Sequence, residues 1–351
     1  MDLTKKIKKS VIDLNTIPEV ELLKVRICDL PIQIEGAWLE ECIQTLYQEL
    51  EAKGIVFKPP CYLADEWLTP ERETCIGIPF YLANPRLIQI EKKFMQEAEG
   101  GTKEWCMKLL RHEAGHAICY AYKLNQRSQW QKLFGLPTEE YGETYKYQPY
   151  SKNFVRHLEG YYAQYHPDED FVETFAVWLT PELNWKARYK GWRAIQKLDF
   201  VDQLMAGIKG KKPLTSSARK FWRLSTLRIT LQNHYRKRRL SLAEEFPDFH
   251  DGFLRKAFVE PSLDTTKKAA VVSVMEKYRN TMIDSISEFS GGKKYLINDV
   301  LNHMEKRARE LRLEVRDDEA VTILKVTGYV TALIMNYFYT GHLGRKKETK
   351  M

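Results

Sequence analysis

Paired cysteines are missing from this chain. Its six, Cys28, Cys42, Cys61, Cys75, Cys106 and Cys119, include no C-x-x-C. That excludes a zinc ribbon and a thioredoxin-type redox motif. Residues 1–9 are lysine-rich and are followed by no apolar core of signal-peptide length. Reduced thiols and a cytoplasmic location are therefore the expectation. Long apolar runs are scarce as well. The longest, 320–338, is broken by Lys325, Asn336 and several threonines. It reads as a buried helix, and no transmembrane segment is expected. Proline is absent from 86 to 136, which leaves a long stretch free to be helical. Acidic residues are absent from 203 to 243, where eleven Lys and Arg accumulate. The net charge of +8 is therefore concentrated there, and the rest of the chain is slightly acidic.

What is present is an ordinary globular composition, 44% apolar and 29% charged over 351 residues, enough for two domains. The proline-free stretch holds His112-Glu113-Ala114-Gly115-His116, the pattern H-E-x-x-H. Residues four apart on a helix lie nearly above one another, so both imidazoles project from one face and can share one Zn²⁺. Glu113, one step round, can take a proton from a metal-activated water. Trp105, Leu109, Ala117 and Tyr120 supply the apolar stripe of such a helix. Gly115 is a weak helix former whose small size leaves room beside the metal. The rival reading is a buried pair of structural histidines.

Upstream, strands are expected over 22–34, 55–57, 61–63 and 75–82, with helices over 37–53 and 85–99. Residues 125–166 look irregular and tyrosine-rich. A helix then opens at Pro167-Asp168-Glu169-Asp170, since proline and acids favour a first turn. It carries Glu173 among Val172, Ala176 and Val177, a setting in which a carboxylate is normally paired or metal-bound. His157 is the competing third ligand.

His112-Glu113-x-x-His116, with Asp170-Phe171-Val172-Glu173-Thr174-Phe175-Ala176 further on, resembles the gluzincin metallopeptidases. More narrowly it is similar to the bacterial putative zinc-binding metallopeptidase family and to the catalytic domain of anthrax lethal factor. The resemblance covers about residues 20–205 and is specific only in the two helices. It implies Zn²⁺ on His112, His116 and Glu173, Glu113 as general base, and a peptide or protein substrate. Relatives of this kind place a tyrosine or histidine against the tetrahedral oxyanion, and Tyr165 or His166 is favoured over Tyr161 and Tyr162. The metzincin pattern is absent, because no Gly-x-x-His follows His116 at the required distance. Nor does a histidine follow soon after, as in the SprT-like crosslink proteases.

The expected fold is α+β: a zincin-like domain over 1–206 with a small mixed sheet and an active-site helix. A linker over 207–217 and a mostly α-helical domain over 218–351 should follow. The linker leads into an expected basic amphipathic helix over 218–240. The basic 203–243 segment is a candidate site for nucleic acid or another acidic partner, against the plainer reading of a solvated face. Two functions follow: a zinc-dependent peptidase, or a non-catalytic zinc-binding, peptidase-like module that acts through the basic segment. An intact Glu113 favours the first.

Overall fold

In the computed structural model the described residues are 12–141, 147–148, 150–238, 249–260 and 269–340. Helix α1 (Trp38–Ala52) buries Leu39, Cys42, Ile43, Leu46 and Leu50 along one stripe. Two short strands follow, β1 (Cys61–Ala64) and β2 (Ile76–Pro79). They pair in parallel, Cys61 opposite Ile76 and Ala64 opposite Pro79. Leu68, which lines the cleft described below, makes an isolated antiparallel bridge to Gly77. Helix α2 (Pro85–Met95) opens on the Asn84 cap and on proline in its first turn.

Helix α3 (Lys103–Ala121) is capped by Thr102, whose hydroxyl accepts from the Trp105 amide. After α4 (Ser128–Phe134) comes α5 (Pro167–Leu179), in which every residue is buried. Its polar first turn is paid for by partners at the site, while Phe171, Phe175 and Trp178 stack toward α4 and α6 (Ala194–Ile208). Helices α3 and α5 pack closely because Gly115 has no side chain. A Cβ there would stand 2.9 Å from Cβ of Val172.

The expected strand over 22–34 is instead a one-turn helix at Glu19–Leu22 and a 3₁₀ turn at Ile27–Asp29. Leu22 and Ile27 still reach the core, but through turns. No strand forms over 55–57 among the described residues, although Ile55 and Phe57 are buried. The sheet is two parallel strands, not a mixed one.

The expected linker and the helix beyond it also differ. Residues 213–230 run mostly extended across the first unit. Leu214 and Thr215 donate their amides to the Ala121 carbonyl, and Ser217, Trp222 and Ile229 accept from Thr74, Asp65 and Ile27. Among the described residues of 213–238 the one α-helix is α7 (Leu231–Arg238), whose Leu231 and Tyr235 belong to the first core. Arg238 donates to the buried Glu91, 2.7 Å away. Among the described residues the first buried cluster thus reaches Tyr235 and the second begins at Leu254, because the apolar residues of 224–235 find partners in the first.

The second core is helical: α8 (Asp251–Ala257), α9 (Val271–Lys277), α10 (Arg279–Ser290), α11 (Lys294–Glu310) and α12 (Glu319–Thr340). Helix α12 is long and apolar enough by length and composition to cross a membrane. It is buried along one stripe, Thr322, Val326, Val330 and Ile334, and exposes Leu324 and Val321. The expected buried helix is thus buried along one face.

Two predictions follow from this packing. Gly115→Ala gains about 1 kcal/mol of helix propensity but overpacks α3 against α5, at about 1–3 kcal/mol. A lower melting temperature and weaker zinc retention are expected, read by calorimetry and metal analysis. The second concerns His234, edge-on to Phe80 and buried. Burial first, then Arg238, hold its imidazole down, to about 4. The unfolded chain titrates near 6.5 and so binds more protons between those values. This contribution to stability is present above about 6.5 and is lost as pH falls toward 4. A melting temperature that declines over this window should decline less in His234→Gln.

Candidate metal centre and cleft

His112 and His116 are both buried, and their rings lie 5.2 Å apart. Nε2 of His112 stands 3.1 Å from Oε2 of Glu169, and Nε2 of His116 stands 3.5 Å from the same oxygen. One ligand atom from each of the three residues lies within 4.8 Å of the others. Glu169 Oε1 accepts from the Tyr141 hydroxyl at 3.0 Å. Its Oε2, fully buried, has no hydrogen-bond partner among the described residues. A carboxylate oxygen left bare between two imidazoles is expensive unless a cation completes it. Two nitrogens and one carboxylate oxygen are the donor set that zinc accepts when a fourth position stays open. The residues fit the metal.

Glu173 is placed differently from the sequence expectation. Its Oε1 meets Nδ1 of His112 at 2.8 Å, on the side of the ring away from Glu169. Its Oε2 accepts from the Leu158 amide at 2.8 Å. A carboxylate here fixes the proton on Nδ1 and frees Nε2 to bind, which is the role of an outer carboxylate behind a ligating histidine. Glu169 and Glu173 are four apart on α5 and share a face. The apolar setting of Glu173 drew the choice toward it, and the acidic first turn explained Glu169 away. The four-residue repeat of glutamate on α5, matching that of histidine on α3, was the available signal for Glu169. His157 is outside the group, donating from Nε2 to the Lys108 carbonyl at 2.9 Å.

The charges are set by these neighbours. Burial works to raise the Glu169 carboxyl, but His116 and His112 outweigh it and hold it well below the usual carboxylate range. Burial would lower His112, and Glu169 and Glu173 reverse that, keeping its proton in the metal-free protein. Burial raises the Glu113 carboxyl against the pull of both histidines.

Glu113 lines a cleft of about 1220 Å³ together with His112, His116 and Glu169. Trp67, Leu68 and Thr69 form one wall, and Tyr120, Tyr141 and Tyr162 another. The Thr69 hydroxyl donates to the Glu113 carbonyl at 3.0 Å, tying that wall to α3. The two favoured oxyanion candidates are not on the cleft. His166 caps α5, accepting at Nδ1 from the Asp168 amide and donating from Nε2 to the Glu139 carbonyl. Tyr141 stacks on its ring at 3.9 Å. Tyr165 packs edge-on to Tyr141 behind the wall. Tyr162, an alternative in the sequence, does face the cleft, 5.5 Å from the His112 ring. The turn before it is left-handed at Gly160 and at Tyr161 (φ 71° and 58°). Tyr161 is held in that costly conformation by stacking on Tyr147 and by the Arg156 guanidinium.

Residues 103–203 match the family described as "Putative zinc-binding metallo-peptidase". The match runs from the start of α3 through most of α6, so it contains both histidines, Glu113, Tyr162, Glu169 and Glu173. No curated protein and no solved structure matches the chain. The family's zinc-binding description agrees with the three-residue group found on α3 and α5.

The two glutamates can be separated by experiment. Glu169→Gln removes the shared oxygen's charge, and zinc retention should collapse. Glu173→Gln leaves all three donor atoms in place but loosens His112, so affinity should fall about 10–100-fold, the range for outer-shell partners. Titration with a chelating indicator checks both. A more severe loss of zinc in Glu173→Gln would return Glu173 to the ligand set.

Proposed function

We propose that the chain is a zinc-dependent peptidase of the gluzincin type, with His112, His116 and Glu169 as protein ligands. The observation that carries the reading is the bare Oε2 of Glu169 between two imidazoles, on the cleft that Glu113 lines. Zinc bound there supplies Lewis acidity to a carbonyl and to a water at the cleft floor.

The chain's own groups do the rest. Glu113, raised by burial, takes the proton of the attacking water and passes it to the leaving amine. Glu173 keeps the His112 ring in register throughout, and Tyr141 does the same for Glu169. Burial keeps the Tyr162 phenol protonated well above its ordinary range, so it is a donor. It is the residue we assign to the developing oxyanion, in place of Tyr165 or His166. The peptide substrate is accommodated beside Trp67, Leu68 and Thr69, the cleft wall that Leu68 joins to β2. The non-catalytic alternative leaves the placement of Glu113 without a reason.

Glu113→Gln keeps size and touches no ligand atom. Zinc content and melting temperature should stay near wild type while peptide turnover falls by at least about 10²-fold. Retained turnover in this variant would end the general-base assignment.

A further inference from the structure

The basic stretch contains a built feature that the cleft does not use. Residues 219–223 read Arg219-Lys220-Phe221-Trp222-Arg223, aromatic and basic side by side. The ribbon is pinned from beneath. Tyr62 Oη accepts from the Phe221 amide at 3.1 Å and donates to its carbonyl at 3.0 Å. The Asp65 amide donates to the Trp222 carbonyl, and Arg223 bridges Ala64 in the antiparallel sense. Such a ribbon should send alternate side chains to opposite faces. It does not, because Trp222 takes the left-handed conformation, φ 45°. That backbone is unfavourable for any bulky residue. Its effect is to expose two consecutive rings, Phe221 at 42% and Trp222 at 55%.

Water-exposed aromatics on a rigid, strained ribbon are costly unless something covers them. The charge around them says what. Arg219, Lys220 and Arg223 are exposed, and no acid occurs in sequence from 203 to 243. Glu73, the carboxylate that touches the ribbon, is engaged, accepting from the Ser217 hydroxyl and the Arg219 amide. The Arg219 guanidinium lies over the Phe221 ring, 5.6 Å from its centroid, which keeps a positive charge beside the rings. An acidic protein would answer the charge but not the paired rings. A duplex keeps its base faces stacked inside. A single strand offers both phosphates and free base faces.

We propose that residues 219–223 form a binding strip for single-stranded nucleic acid, with Phe221 and Trp222 stacking on bases and Arg219, Lys220 and Arg223 contacting phosphates. The strip is independent of the peptidase reading, since none of these five side chains lines the cleft.

Fluorescence anisotropy of the full chain with a labelled oligothymidylate tests it, over a salt series, beside a duplex of equal length and polyglutamate as competitor. Single strands should bind more tightly than the duplex. Trp222→Gly should weaken binding about tenfold or more, the scale of removing one base stack. Its melting temperature should hold or rise, because glycine accepts the left-handed backbone. Phe221→Ala should act in the same direction. Lys220→Glu with Arg223→Glu should flatten the salt dependence by about 0.7 for each phosphate no longer neutralised. Binding unaffected by Trp222→Gly, or a duplex bound as well as the single strand, would overturn the proposal. So would no binding at low salt. Polyglutamate displacing the oligonucleotide at equal charge concentration would overturn it in favour of an acidic protein partner.

Discussion

The contact between α3 and α5 is the constraint on which the rest depends. Three residues on one helix and two on the next must meet within a few ångströms, and helices normally pack 8–10 Å apart. Gly115 lets α3 approach Val172 closely, and that approach puts Glu169 and Glu173 on opposite sides of the His112 ring. The cost is a buried polar first turn on α5. It is met in part: His166 caps the helix, Tyr141 donates to Glu169, and Lys197 reaches Asp170 at 2.5 Å, while Asp168 Oδ1, Glu169 Oε2 and Asp170 Oδ1 keep no hydrogen-bond partner among the described residues. Burial still pushes the Asp170 carboxyl up to about 7, so even this paired acid shows how dry the region is.

How much of this was legible in the sequence follows the range of each signal. The H-E-x-x-H helix and its glycine were readable because a helix reports itself in local spacing. So was α5, whose proline and acids mark a first turn. The choice between Glu169 and Glu173 was not, because both satisfy the same helical face. Only the position of the His112 ring separates them, and that is a tertiary fact. That Tyr165 and His166 do not line the cleft has a related reason. Tyr165 and His166 are nearest to the glutamates in sequence, but a left-handed pair at Gly160 and Tyr161 turns Tyr162 to the cleft instead.

The first unit's boundary shows the opposite case, in which composition misled. Gly207, Gly210 and Pro213, with lysines between them, have the make-up of a linker. Leu224, Leu227 and Leu231 were then read as the stripe of a helix. They are buried or half-buried against the first core, but from a 3₁₀ turn at Leu224–Thr226, an irregular stretch and the start of α7, not from one helix. Spacing of three and four does not require a helix when each residue has its own tertiary partner. The result brings the wall residues Leu214 and Thr215 to the cleft, where the Ala121 carbonyl at the end of α3 receives both their amides.

That path also explains why one stretch of chain combines two unlike tasks. Residues 214–217 close the cleft beside α3 and give up their backbone donors to do so. Residues 219–223, held by Tyr62 and Asp65, have their backbone satisfied and their side chains left outward. The absence of acid across 203–243 is neutral for the first task, since Leu214 and Thr215 act through amides. For the proposed strip it matters, because a carboxylate among Arg219, Lys220 and Arg223 would cancel much of a field suited to a polyanion. Glu113 on α3 and Glu169 and Glu173 on α5 gather the buried carboxylates at the candidate metal centre. The basic ribbon is kept clear of acids in sequence, so the two kinds of charge are drawn from separate stretches of the chain.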